Sequence, residues 1–78
     1  MKKFELMFDL SKITYTAACY LTVRVGERLD IPVEDERIET TEDGRRWVVL
    51  LEAESLDAAI ERMRANLPEE VELIKGES

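Results

Sequence analysis

Cys19 is the only thiol in the chain and its strongest candidate nucleophile. Thiolate chemistry needs a base or a cation beside the sulfur. The sequence holds no histidine, which removes any Cys–His or Ser–His pair, the commonest general base and the commonest metal ligand. Only distant carboxylates remain to activate Cys19. A lone cysteine also makes neither a disulfide framework nor a thiolate metal cluster. The acids Glu34, Asp35 and Glu36 could attract a hard cation, but neighbouring residues of a strand point to opposite faces. The sequence therefore predicts a non-enzyme with no catalytic residues, no bound cofactor and no metal ligands. The residues left are those suited to contact, chiefly Tyr15, Tyr20 and Val23.

Charge narrows the class of partner. Eighteen acids against eleven bases leave a net charge of −7. Such a surface repels phosphate backbones, so nucleic acid and anionic membrane are poor partners. The start, Met1 to Glu5, lacks the apolar run of a signal peptide. No stretch reaches the ~20 apolar residues that span a bilayer, so membrane insertion is not expected. With 78 residues, 45% of them hydrophobic and 37% charged, the chain reads as one globular domain, 1–78.

The elements that must position the contact residues follow from periodicity. Phe4, Leu6 and Phe8 alternate with polar neighbours, as in a strand with one buried face. Ser11 is placed to cap a helix that closes before Leu29-Asp30-Ile31-Pro32. Val33 to Thr41 and Arg45 to Ala53 form a hairpin around Asp43-Gly44, a pair suited to a two-residue turn. That turn sets Ile38 opposite Val49, Thr40 opposite Trp47 and Glu36 opposite Leu51. Ser55 caps a second helix carrying Leu56, Ala59, Ile60, Met63 and Leu67, which Pro68 ends. Val71 and Leu73 form the last strand. The order β-α-β-β-α-β, with right-handed crossovers, predicts an α+β ferredoxin-like sandwich: a four-stranded antiparallel sheet in order 4-1-3-2, with two helices on one face. The expected core is Phe4, Leu6, Phe8, Ile38, Trp47, Val49, Leu51, Ile60, Met63 and Leu67.

Ile13 to Val25 carries two conflicting signals. Its odd positions are all apolar, the alternation of a strand, yet it must bridge two strands and contains Ala17-Ala18. Read as a helix at ~100° per residue, it puts Thr14, Ala18, Leu21, Val25 and Leu29 inward. Thr16, Cys19, Tyr20 and Val23 then face outward, flanked by Tyr15 and Glu27. A surface chosen for helix stability would carry Glu, Lys, Gln and Arg there. Conflict between local propensity and the fold often marks a site, and tyrosine offers rigid contact area with one hydroxyl. Tyr15, Thr16, Cys19, Tyr20, Val23 and Glu27 are the expected protein-binding residues. The plainer reading is a tolerated exposed surface, since scattered apolar side chains are normal. The adjacent edge strand could extend this surface by pairing with a partner, although Glu34 to Glu39 could instead be charged to prevent pairing. A second apolar set, Met7, Val48, Leu50 and Ile74 on the open sheet face, could support self-association.

Short loops, Asp43-Gly44, Ser55 opening a clean amphipathic helix, Pro68 closing it and the absence of histidine resemble a de novo designed ferredoxin-like mini-protein over the whole length. The departure is the helix rich in Thr, Val and Tyr, which is similar in kind to the binding faces of designed ferredoxin-like proteins that engage cell-surface receptors by sheet extension. The resemblance implies a protein partner such as a receptor ectodomain, the transferrin receptor among those targets, and soluble recombinant expression. The alternatives are a self-associating homo-oligomeric scaffold and an idealised fold without a partner. Replacing Cys19 by serine is expected to leave no activity to lose; an ester or thioester substrate giving a stoichiometric burst that Cys19→Ser abolishes would contradict this.

Overall fold

The computed structural model describes residues 1–77. The strands are β1 (Lys2–Asp9), β2 (Glu36–Thr41), β3 (Gly44–Ala53) and β4 (Glu72–Glu77), and the helices α1 (Tyr15–Arg28) and α2 (Leu56–Arg64). They form one antiparallel sheet in order β2-β3-β1-β4, the expected order read from the opposite edge. Phe4, Leu6 and Phe8 of β1 face the same side as Trp47, Val49 and Leu51 of β3, and all six are buried. Both helices cover this face. Ala18 and Val25 of α1 and Ala59 and Met63 of α2 join the same core.

Each helix begins where a side chain satisfies its free N–H groups. Ser55 Oγ accepts from Ala58 N at 3.1 Å, as expected for α2. For α1 the cap is Thr14, whose Oγ1 accepts from Ala17 N at 3.1 Å, and not Ser11. Ser11 is engaged elsewhere: its backbone N and its hydroxyl both donate to Asp9 Oδ1. Those two bonds also hold the Asp9 carboxyl below its ordinary value. Thr14, expected inward, is therefore an exposed cap.

The end of α1 is a Schellman turn. Ile31 N donates to Gly26 O at 2.9 Å and Asp30 N to Glu27 O at 3.3 Å, with Asp30 at φ 54°. Helix α2 stops at Arg64, short of Leu67, where Asn66 N and Leu67 N bond three residues back to Met63 O and Arg64 O. Arg64 then anchors the following loop by donating to Val71 O.

The hairpin differs from expectation by two residues. Thr41 pairs with Gly44, Ile38 with Trp47 and Glu36 with Val49. Glu42 and Asp43 form the turn, and neither has positive φ; Gly44 does, at 140°. A shift of two keeps every side chain on its expected face. It also brings Ile38 rather than Thr40 beside Trp47, exchanging a polar neighbour of the indole for an apolar one. Strand β2 starts at Glu36 because Val33–Asp35 form a short 3-10 turn, held by Asp35 N to Pro32 O at 2.9 Å.

The core is larger than expected, adding Leu10, Ile31, Ala53 and Val71. Ile38, Ile60 and Leu67 are only half-buried at its margin. On the open face Val48 is buried and Met7 and Leu50 half-buried, leaving Ile74 as the exposed member of that set. Arg37 and Glu39, paired at 2.9 Å, occupy the same face.

Gly44 joins two distant parts of the chain. A Cβ there would lie 2.9 Å from Ser11 Cβ, on a backbone that L-residues rarely adopt. Gly44→Ala is expected to destabilise the domain by about 1–3 kcal/mol, a loss that urea denaturation measures; an unchanged midpoint would mean that the β1–α1 loop yields freely.

Candidate functional site

Helix α1 is held over the β2–β3 half of the sheet by its inward residues. Ala18, Thr22, Val25 and Gly26 are buried and Leu21 and Leu29 half-buried. The inward arc is thus turned slightly from the expected one, towards Thr22 and Gly26. Thr22 tolerates burial because its hydroxyl donates to Cys19 O at 3.1 Å. The outward face is the expected one. Tyr15, Tyr20 and Val23 are 59%, 67% and 60% exposed, and Thr16 and Glu27 are exposed with them. Cys19 differs: it is half-buried at the flank.

Two arginines hold the tyrosine rings. Arg45 reaches up from β3, donates through Nη2 to Ile13 O at 2.9 Å and lies 5.5 Å from the Tyr15 ring centroid. Arg24, one turn beyond Tyr20, lies 6.0 Å from its ring. Contacts of this kind contribute about 0.5–1 kcal/mol at exposed sites. The Cys19 thiol, one turn on, pushes the Tyr15 phenol above its ordinary value, with Arg45 opposing it.

Val23 and Glu27 lead from the helix face into an open groove between the end of α1, the turn that follows it and the start of the edge strand β2. Gly26, Asp30, Ile31, Val33 and Glu36 complete its lining, around a space of about 530 Å³. Val33 is 84% exposed. Glu36 sits on the helix side of β2, and its Oε2 lies 2.7 Å from where a Cβ on Gly26 would stand. Glycine inside a helix costs about 0.5–1 kcal/mol relative to alanine, and here it admits the carboxylate between helix and strand. Burial raises the Glu36 pKa, and the Trp47 indole N–H opposes the rise. That buried N–H makes no well-formed hydrogen bond among the described residues.

The structure thus brings Tyr15, Thr16, Tyr20, Val23 and Glu27 onto one surface and adds Gly26, Asp30, Ile31, Val33 and Glu36 beside it. Glycine in the last turn of the helix and an apolar residue straight after Pro32 were the available signals for the added group. The acids Glu34 to Glu36 do not act together, because Asp35 is bound to Lys3 at 2.8 Å while Glu36 turns under α1. Among the described residues no three Cys, Asp or Glu side chains converge as metal ligands, and no helix is long and apolar enough to cross a membrane. Comparison with protein-family models, curated proteins and solved structures finds no match.

Glu36 has a testable signature. Its folded-state pKa is raised, so the folded state holds its proton to higher pH than the unfolded chain does. Stability is therefore lost as pH rises from the ordinary glutamate range through the raised value, and the loss persists at neutral pH. Glu36→Gln removes that ionisation and is expected to be more stable than the parent at pH 7, with the gap closing towards about pH 4. Urea titrations of both proteins at the two pH values measure this; a gap that widens in acid would contradict the assigned burial.

Proposed function

We propose that this chain is a designed, non-enzymatic protein-binding module of ferredoxin-like architecture that docks on a folded partner through the outward face of α1, with the β2 edge alongside. The observation that supports it is the exposure of Tyr15, Tyr20 and Val23 on a helix whose opposite face is packed into the core. These side chains contribute little to folding, and valine and tyrosine are weaker helix formers than the Glu or Lys that could replace them. Tyrosines held by neighbouring arginines suit the centre of an interface, where aromatic anchors carry much of the binding energy. A receptor ectodomain is the proposed partner class on the strength of the sequence resemblance, with the transferrin receptor the first to test.

Self-association is the rival reading. Its open-face version loses support because Val48 is buried and Met7 and Leu50 are half-covered. A version using the α1 face would place like-charged copies together, each with a net charge of −7. Sedimentation at high concentration is expected to show a monomer.

The double variant Tyr20→Glu, Val23→Glu separates a binding face from a core face. Glutamate at 20 gains an i,i+4 pair with Arg24, while glutamate at 23 faces Glu27 at the same spacing, and the two effects nearly offset. The melt is expected to stay within about 0.5 kcal/mol of the parent. Binding to a panel of receptor ectodomains, measured on an immobilised parent and variant, is expected to fall at least tenfold, as loss of a central aromatic anchor implies. Collapse of the melting transition, or equal binding by both proteins, would end this reading.

A further inference from the structure

The groove beside α1 names the chemistry of the partner more closely than the helix face does. It lies at the start of β2, whose first residue, Glu36, lines it, and among the described residues β2 has a strand neighbour only on its β3 side. Its apolar walls are Val23 and Val33, and its ionisable groups are three carboxylates, Glu27, Asp30 and Glu36, with no cation among its lining residues. The other charges of β2 do not neutralise it: Arg37 is committed to Glu39 on the opposite face of the sheet. Apolar walls beneath carboxylates that form no ion pair among the described residues match the two parts of a basic side chain, an aliphatic stem and a cationic head.

We infer that the groove receives an extended segment of the partner protein that pairs with the free edge of β2 and lays a lysine or arginine side chain across Val23 and Val33 onto Glu36. This rests on the protein-binding reading above and specifies its second contact. Alternate residues of an added strand point to the helix side of the sheet, which is where Glu36 and the groove lie. The added strand supplies partners for the backbone groups left open along the edge. A helix stripe alone covers less than the roughly 800 Å² per side of a standard interface, and the strand supplies further area. A second copy of this chain is a poor occupant, because its own edge would bring a second Glu36, on a chain of net charge −7, to a groove already lined by acids. The charges of β2 are thus arranged to exclude acidic and self-pairing strands while admitting a basic one.

Three capped hexapeptides test this on the intact chain, alternating valine with lysine, with serine and with glutamate. Each is titrated at low ionic strength while backbone amide resonances are followed. The lysine peptide is expected to shift and protect the amides of Glu36–Thr41 and to bind at least tenfold more tightly than the other two. Glu36→Gln is expected to weaken it at least fivefold, and Tyr20→Glu to change it less than twofold. Equal binding of all three peptides, shifts confined to Thr16 and Tyr20, indifference to Glu36→Gln, or no binding of the lysine peptide at millimolar concentration would each overturn the inference. Because Tyr20→Glu is silent towards the peptide but decisive for the folded partner, failure here is distinguishable from failure of the helix-face reading.

Discussion

Phe8, Trp47 and Ile38 lie side by side across β1, β3 and β2, and this row holds the two halves of the sheet to one register. The Trp47 indole is fully buried, with its ring centroid 6.2 Å from that of Phe8 at an interplanar angle of 41°. An aromatic pair of this kind contributes about 0.5–1.5 kcal/mol beyond the area it buries. In a domain this small no second core exists to compensate for its loss. Its position dictates much around it. The hairpin takes the register that brings Ile38 to its side, Gly44 takes the positive φ, and Ser11 packs where a side chain at 44 would have stood. The same indole leaves its N–H without a partner and close enough to act on Glu36. The central packing contact therefore reaches the candidate groove through Glu36.

Helix α1 is stable despite its composition. Thr16, Thr22, Val23 and Val25 lose side-chain freedom in a helix, and Gly26 adds a backbone penalty. Tertiary contacts override these terms: Ala18 and Val25 pack into the core, Thr14 caps the start and the Schellman turn at Asp30 closes the end. Arg45 ties the start of the helix to β3 through Ile13 O. On the outer face Tyr15 and Tyr20 meet the Arg45 and Arg24 side chains at its margin, and Val23 stays exposed.

The charges divide into a part that supports the fold and a part that faces outward. Lys3 to Asp35 and Lys12 to Glu72 tie β1 and its following loop to segments far along the chain, both at 2.8 Å. Each is exposed on at least one side, and such pairs contribute modestly. Their structural effect is to use up Asp35 and Glu72, while Glu27, Asp30 and Glu36 beside α1 form no ion pair among the described residues. An acidic excess spread over the whole surface would favour solubility alone; here three of the acids are gathered at an apolar groove.

Alternation in β1, helical spacing in α2, the Ser55 cap and the outward exposure of Tyr15, Tyr20 and Val23 were legible in the residues themselves. Each depends on neighbours within a turn or two, and periods of two and of 3.6 residues are local properties. The conflict over Ile13–Val25 was also visible, and connection length resolved it in favour of a helix. Side-chain faces in the hairpin came through intact even though the register moved by two, because facing has a period of two. The register itself, the transfer of the α1 cap from Ser11 to Thr14 and the groove between Gly26 and Glu36 were decided by the tertiary structure. They turn on Ser11 against Gly44, Ile38 beside Trp47 and Glu36 beneath Gly26, pairs brought together from different elements. No local period records which distant side chains will compete for the same space, and that competition chose among turns, caps and registers that the local sequence permitted equally.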